Sequence, residues 1–403
     1  MSRQDNVDVI VVGAGPVGLT TAALLAKRGL SVLLVEREST IDMAPKASTI
    51  HGPTLELLED LDVTEHLLAQ GLVADSYQHR DRQRGIVAEF DFSVLKGDTK
   101  YPFRLQCEQQ RLSEALIEYM EPLNRVRIAF ETELVSFMDS PVGVIAMLEG
   151  PEGAYDVGCR FLLGTDGASS TVRRHLGIAF EGSTYVDRYL VYLTTHAFEN
   201  DISNLCLVNY ISDPEQFVVL LRAPTSWRVL FRTDESMTDD QAKDSAMTEL
   251  LLQGVAERSS PYEILHTQLY RIHQRVAVEF RRGNVMLLGD AAHINSPIGG
   301  MGMNNGIHDA FDLARTLPAV VFGDLPDVAI DDWATRRRAV AREFVRVITD
   351  RNAKALAEKD ESSRIAHQRE LAAIAADPVR CREWLLSSSM INAVHEQGLL
   401  PYC

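Results

Sequence analysis

Residues 8–38, DVIVVGAGPVGLTTAALLAKRGLSVLLVERE, constrain this chain more than any other stretch. Eighteen uncharged residues separate Asp8 from Lys27, close to the ~20 that a membrane-spanning helix needs. Gly13, Gly15 and Pro16 interrupt the run where such a helix must be most regular, so no span is expected. A secretory leader is not expected either, because Asp5 and Asp8 stand where positive charge should precede the apolar core. The stretch reads instead as strand, turn, helix, strand: a buried run over 7–12, helix formers over 19–27, and a second apolar run over 30–36. Inside that βαβ unit Gly13, Gly15 and Gly18 satisfy G-x-G-x-x-G. The first glycine permits the tight turn, the second lets backbone approach a pyrophosphate, and the third lets the helix pack on the strand. Glu36 ends the second strand, where a carboxylate can hold a ribose hydroxyl. Dinucleotide binding follows from this pattern; the identity of the dinucleotide does not.

Two later stretches also run from an apolar strand into a polar turn. FLLGTDGASSTVRRHLGI, residues 161–178, leads to Asp166-Gly167, then to Ser170 and Arg173 at the start of a helix. GNVMLLGDAAHINSPIGGMGMNNGIHDAFDLA, residues 283–314, leads to Gly289-Asp290, His293, Pro297 and a glycine-rich turn that opens a helix. Asp290, at the carboxyl end of its strand, is where an open α/β sheet makes ligand contacts. The glycine-rich turn aims unpaired N–H groups and the positive end of the helix dipole at whatever lies before it.

This ordered set resembles the FAD-dependent aromatic hydroxylases, the single-component flavoprotein monooxygenases typified by para-hydroxybenzoate hydroxylase. The resemblance rests on G-x-G-x-x-G with Glu36, on D-G-x-x-S-x-x-R from Asp166 to Arg173, and on G-D-A-A-H with P-x-G-G-x-G-x-N through Asn304. It implies a Rossmann-like α/β FAD-binding domain with an inserted antiparallel substrate sheet, FAD as cofactor, and NADH or NADPH as electron donor. The implied reaction is hydroxylation of an electron-rich aromatic or heteroaromatic small molecule by O2 through a flavin C4a-hydroperoxide. Asp290 would bind the ribityl chain, and Asp166 to Arg173 would shape the FAD and NAD(P)H sites. The loop led by Pro297, with Gly300, Met301, Gly302, Met303 and Asn304, would lie beside the flavin ring. Gln109 matches the family's glutamine on the adenosine side; Lys46 stands where the family often has arginine, keeping the charge but losing the two-pronged grip on phosphate.

The rest of the chain bounds this reading. At 403 residues it should hold two or three domains. With 57 acidic against 40 basic residues and a net charge of −17, nucleic acid and anionic lipid are not expected partners. Cys107, Cys159, Cys206, Cys381 and Cys403 are odd in number and show no metal-ligand spacing, so reduced thiols and no metal are expected, and with neither span nor leader expected the location reads as cytoplasmic. Residues 182–235 break into short strand-like runs separated by turn clusters, read as a sheet that roofs the flavin. Alternation puts Leu190, Tyr192, Thr194 and His196 on one face and Arg228, Leu230 and Arg232 on another, without saying which is inward. Arg222 and Arg228, with Tyr192, are the candidates to hold substrate; Tyr192, His196 and Tyr210 are candidate proton relays, grouped with Pro297 as the catalytic set. The domain reading is 1–181 and 265–330 for FAD, 182–264 for substrate, and 331–403 as a helical segment for packing and homodimer formation. Three other functions fit parts of the same pattern. A halogenase would carry Trp-x-Trp, whereas Trp227, Trp333 and Trp384 stand far apart. The others are an FAD-dependent reductase or saturase of an isoprenoid-type substrate and a non-catalytic FAD-fold binding protein.

Overall fold

The computed structural model describes residues 6–233, 236–345, 358 and 360–401. The opening stretch forms strand Val7–Val12, helix Pro16–Lys27 and strand Val32–Val35. The helix starts at Pro16, earlier than its composition suggests, because proline's fixed φ and missing N–H suit the first helical position.

Val7–Val12 lies at the centre of an eight-stranded mixed sheet, paired in parallel with Val32–Val35 on one side and Gly153–Gly164 on the other. Val126–Ala129 and Val285–Leu287 extend it in parallel on the two sides, Arg281–Arg282 closes the edge antiparallel to Val285–Leu287, and a hairpin of Glu133–Ser140 and Gly143–Gly150 is attached to Gly153–Gly164. Helices Pro16–Lys27 and Met301–Phe322 pack together on this sheet through a continuous apolar core. Both strands that deliver motif residues, Gly153–Gly164 and Val285–Leu287, therefore end beside the glycine turn. Distant motifs meet through strand order.

The second sheet also has eight strands, and it is assembled from more of the chain than residues 182–264. Its order runs His293–Ile294, Ile264–Ala277, Phe180–Thr194, Trp227–Thr233, Val218–Arg222, Val208–Ser212, Ser76–Asp81 and Gly85–Asp91. The last two come from the segment assigned to the first FAD part. They join because Val208–Ser212 pairs in parallel with Ser76–Asp81. A small third sheet, Thr49–His51, Arg104–Gln106 and Leu72–Ala74, bridges the two bodies.

Each face of the second sheet has its own cover. Leu190, Tyr192, Val229 and Phe231 pack under helices Asp239–Lys243 and Ser245–Gln253. Tyr189, Val191, Leu193 and Leu230 pack with Ile298 of the glycine-rich loop and with Leu371, Cys381 and Leu385 of helices Glu361–Ala376 and Pro378–Ser388. The inward face is thus the one carrying Arg228 and Leu230, and Tyr192 points outward. Helices Val328–Val340, Glu361–Ala376 and Pro378–Ser388 bear out the helical reading after 330, and residues 346–357 of that stretch lie outside the described residues. Among the described residues no helix is long and apolar enough to cross a membrane, and no three His, Cys, Asp or Glu side chains cluster as a metal would require.

Candidate active site

The glycine turn is built as its spacing demands. Gly13 sits at φ +102, and a Cβ there would meet Thr165 O at 2.8 Å. A Cβ on Gly18 would lie 1.9 Å from Gly13 O, whereas one on Gly15 has nothing within 4 Å. That empty space faces the start of helix Pro16–Lys27, whose N-cap Gly15 makes no side-chain capping bond. Glu36 accepts the Ala14 N–H at 2.8 Å, which places its carboxylate against the same turn.

The other motif residues divide into builders and open groups. Asp166 accepts from the N–H groups of Thr171 and Val172 at 2.6 and 3.1 Å, while its second oxygen is buried without a partner. Arg173 lies 3.9 Å over the Phe180 ring and donates to Ala291 O and Ala168 O at 2.8 Å, tying the two distant turns together. Asp290 is exposed to water although protein surrounds it. Burial pushes its carboxyl upward, against the pull of His293 and Lys46. It is a carboxylate at the floor of an open cleft. His293 faces away from that cleft: its Nε2 lies 2.7 Å from Asp309, which also pairs with Arg337 at 2.6 Å and accepts the Gly289 N–H at 3.0 Å.

The loop before helix Met301–Phe322 turns through Gly299 at φ +101 and Gly300 at φ +67. Pro297 is exposed, with its carbonyl accepting the Gly300 N–H at 3.1 Å. Asn304 fastens this loop, donating to Gly300 O at 2.6 Å and Thr49 O at 2.9 Å and accepting the His51 N–H at 3.0 Å. His51 Nε2 reaches Gly299 O at 2.9 Å, so its proton lies on that nitrogen and Nδ1 is left bare and buried. Gly302 and Met303 are half-buried on the first turn, Met301 is buried beneath, and the helix N-terminus has no side-chain cap.

Burial first, then the charge of Arg104, pushes His51 down to about 3. Burial, then Arg337, does the same to His308, whose Nε2 lies 2.8 Å from Thr54 Oγ1. Both folded values lie below the ~6.5 of an unfolded histidine, so the unfolded chain binds the extra protons in acid. Each residue's contribution is intact above pH ~6.5 and falls by about 1.4 kcal/mol per pH unit as pH drops toward the folded value. Urea midpoints should therefore decline below pH ~6.5, and a His51→Gln/His308→Gln double variant should show a flatter decline; an equally steep one would refute this origin.

A cavity of about 740 Å3, its open mouth included, adjoins the loop at Ile298 and Gly299. Its walls are Tyr77, His79 and Tyr210 from the inward sheet face, Arg104 from the bridging sheet, and Leu371 and Trp384 from the C-terminal helices. The rings are ordered: His79 stacks on Tyr210 at 5.3 Å, and Trp384 Nε1 donates to Tyr77 Oη at 2.6 Å. The segment read as packing and dimer-forming material is a cavity wall. Sequence reasoning missed Arg104, Tyr77, His79 and Trp384; the one local signal was an arginine in the buried strand Arg104–Gln106, five residues before Gln109.

The substrate candidates separate accordingly. Tyr210 lines the cavity. Tyr192 does not: it lies in the outer core with its hydroxyl on Ala242 O at 3.0 Å. His196 is held between Asp201 at 2.5 Å and Arg258 at 3.0 Å, beside Phe198 and Tyr262. Both are misplaced for proton relay, because the face they share with Leu190 is the covered outer one. Arg222 bonds Ala223 O at 2.9 Å and also misses the cavity. Arg228 is on the inward face but is spent on the cofactor side, donating to Lys46 O and to Ser48 Oγ at 3.3 Å. Lys46 pairs with Asp42, and the Gln109 N–H donates to Ala47 O at 2.9 Å, so Lys46, Gln109 and Arg228 converge on one edge of the cleft.

Fold and site together define an oxidoreductase with a dinucleotide cradle and an aromatic cavity that share one loop. Residues 6–347 match the FAD binding domain family. Para-nitrophenol 4-monooxygenase of Pseudomonas sp. (strain WBC-3) is 31% identical over 388 residues, 95% of this chain and 96% of that one. 6-Hydroxy-3-succinoylpyridine 3-monooxygenase of Pseudomonas putida (strain DSM 28022 / S16) is 33% identical over 347 residues, 85% and 86% of the two chains. A crystal structure of p-nitrophenol 4-monooxygenase from Pseudomonas putida DLL-E4 superposes with a TM-score of 0.92 at 28% identity, over 96% of this chain and 99% of that one. The chain belongs to the FAD-dependent aromatic hydroxylases. It is a flavin monooxygenase that uses NAD(P)H and O2 on a small aromatic substrate.

Proposed function

We propose that the substrate is a single-ring phenol, bound in the cavity against Ile298 and Gly299. The observation that carries this reading is the cavity itself: aromatic walls, the buried guanidinium of Arg104 among them, and a loop shared with the cofactor cleft. Its mostly aromatic and apolar walls with a few polar groups are the setting that a small aromatic ring fills. The two relatives named above, which act on a nitrophenol and a hydroxypyridine by their names, support a substrate of this size.

The residues present fit FAD. Gly15 leaves open space where a side chain would intrude, the free oxygen of Asp166 is buried without a partner, and two helices begin uncapped at Gly15 and Gly300. Gly13, Gly15 and Gly18 would hold the diphosphate, Glu36 the adenosine ribose, Asp290 the ribityl chain, and the loop of Pro297 and Gly300 to Asn304 the ring. When bound, FAD supplies the redox chemistry, taking electrons from NAD(P)H and passing them to O2. The chain's own work is placement and exclusion. The uncapped N-terminus of helix Met301–Phe322 favours negative charge in front of it, and the apolar surface of Ile298, Leu371 and Trp384 keeps bulk water from the reacting ring.

The test is NADH and NADPH oxidation by the purified yellow protein with a panel of phenols, hydroxypyridines, fused polycycles and isoprenoids, following O2 uptake and product mass. A monocyclic phenol should accelerate oxidation and yield a product one oxygen atom heavier. Coupled turnover of polycycles alone would sink the single-ring reading, and reduction without oxygen insertion would favour the reductase.

A further inference from the structure

We propose that His51 is a positioning residue of the reaction: by fixing the Gly299 carbonyl it aims the start of helix Met301–Phe322 at the flavin ring and so helps set how easily bound FAD is reduced. The proposal rests on the assignment of this loop to the ring made above, and it holds whichever phenol is the substrate.

The loop ahead of that helix needs to be held from outside. Gly299 and Gly300 both lie at positive φ, +101 and +67, and glycine passes between backbone conformations at little cost. The carbonyl of Gly299 and the N–H of Gly300 are the two ends of one peptide plane, the last before the helix. Its N–H donates to Pro297 O at 3.1 Å, and its carbonyl accepts from His51 Nε2 at 2.9 Å. The next carbonyl, of Gly300, accepts from Asn304 Nδ2 at 2.6 Å. Asn304 belongs to the helix, and its bonds to Thr49 O and from the His51 N–H tie the helix to strand Thr49–His51. The His51 imidazole does the complementary task, tying the loop in front of the helix to the same strand.

His51 is built to be a fixed donor. It is fully buried, it pairs across the bridging sheet with Arg104, and it is the N-cap residue of helix Gly52–Leu58. Burial, then the charge of Arg104, keeps the imidazole neutral. With Gly299 O as the acceptor, its one proton sits on Nε2 and Nδ1 is left buried without a partner. A buried acceptor without a donor costs stability, a cost that an apolar side chain at this position would avoid. What the histidine adds in return is the bond to Gly299. The helix beyond starts with N–H groups that have no intrahelical acceptor and no side-chain cap, and the partial positive charge they carry falls off within a turn. FAD gains negative charge on reduction, so the aim of those groups weighs more on its reduced than on its oxidised form. His51 acts through the peptide it holds and is not itself a catalytic group.

The experiment measures the midpoint potential of FAD bound in the holoenzyme, by equilibrium reduction against a reference dye without substrate or NAD(P)H. His51→Leu keeps the bulk and loses the donor; it should weaken the preference for reduced over oxidised FAD about ten-fold, ~30 mV lower for a two-electron couple. His51→Gln, which can bring an amide N–H to the same carbonyl, should recover most of that loss. Should His51→Leu fail to retain FAD, the pair His51→Gln and His51→Asn carries the same comparison, because the shorter amide stops short of Gly299 O. Flavin content and thermal melting report on folding. A merely structural His51 would lower the melting temperature and leave the potential where it was, and that result overturns the proposal. Met303→Glu tests the loop assignment separately: on the first turn of the helix its carboxylate should lower the potential by at least as much. An unchanged potential in Met303→Glu means that the loop does not face the ring, and both readings fall. A lowered one beside an unaltered potential in His51→Leu overturns the role of His51 alone.

Discussion

Gly18→Ala is expected to give a protein that neither retains flavin nor melts cooperatively, while Gly15→Val gives a colourless protein that melts close to wild type. The two positions are three residues apart in one turn and differ in what a side chain would meet. At Gly18 the added carbon would sit 1.9 Å from Gly13 O and 2.7 Å from Thr165 Oγ1. Neither can yield: Gly13 N–H donates to Val35 O at 2.8 Å, and Thr165 Oγ1 donates to Val12 O at 2.7 Å. The helix would have to lift off the sheet, opening the core around Leu19, Ala22 and Ala23, all fully buried. Ordinary overpacking costs ~1–3 kcal/mol; a clash with fixed backbone at the centre of the main core exceeds that, against a total stability of order 5–15 kcal/mol. At Gly15 the backbone is at φ −71 and nothing lies within 4 Å, so valine is accommodated and fills the space left for the diphosphate. Visible absorbance and thermal melting of the two variants separate these effects. A Gly18→Ala protein that melts near wild type would show that the helix does not need this contact.

Asp309→Ala should cost ~3–5 kcal/mol, the range for breaking a buried ion pair from one side. Asp309 is fully buried and Arg337 is 1% exposed, so removing the carboxylate strands a guanidinium in the core. Burial alone would raise the Asp309 carboxyl, but His293 and Arg337 beside it hold it down at about 2. A depressed acid contributes stability that is present above its unfolded value of ~3.9 and is lost as pH falls toward 2. The variant's deficit in urea denaturation should therefore be full at neutral pH and shrink between pH ~4 and 2. Because Asp309 also accepts the Gly289 N–H, the turn that carries Asp290 loses its support, and flavin affinity should fall with stability. A deficit unchanged down to pH 2 would mean that packing, not charge, is what Asp309 provides.

The cofactor half of the protein was legible because its signals are local. Gly13, Gly15, Gly18 and Glu36 lie within one βαβ unit, where each residue's task is set by neighbours a few positions away. Asp166 and Asp290 could be read from the ends of apolar strands, since sheet order brings such ends together. The cavity was not legible, because its residues meet only through pairings between remote segments. Period-two alternation separated Tyr192 from Arg228, but what decides the inward face is Ile298, Leu371 and Leu385, each far away in sequence. Tyr192 and His196 have the chemistry of proton relays, but Tyr192 belongs to the outer core and His196 is held beside it. Arg104 looked like one charged residue in a short strand; its meaning comes from His51, Tyr77 and Tyr210, none of them near it in the chain.

The C-terminal helices that wall the cavity do not end the chain's path. Val394 and Leu399 return to the core of the first sheet, and Arg315 fastens the carbonyls of Gly398 and Leu399. The chain thus crosses repeatedly between its two bodies, and the cavity is assembled from at least five separated segments. No single cut frees a self-standing substrate module, so exchange of one contiguous gene segment between relatives replaces part of the wall and leaves the remainder mismatched. Preference for a new aromatic compound is reached in this architecture through individual substitutions at the cavity wall, and recombination preserves it only when the exchanged pieces come from the same parent.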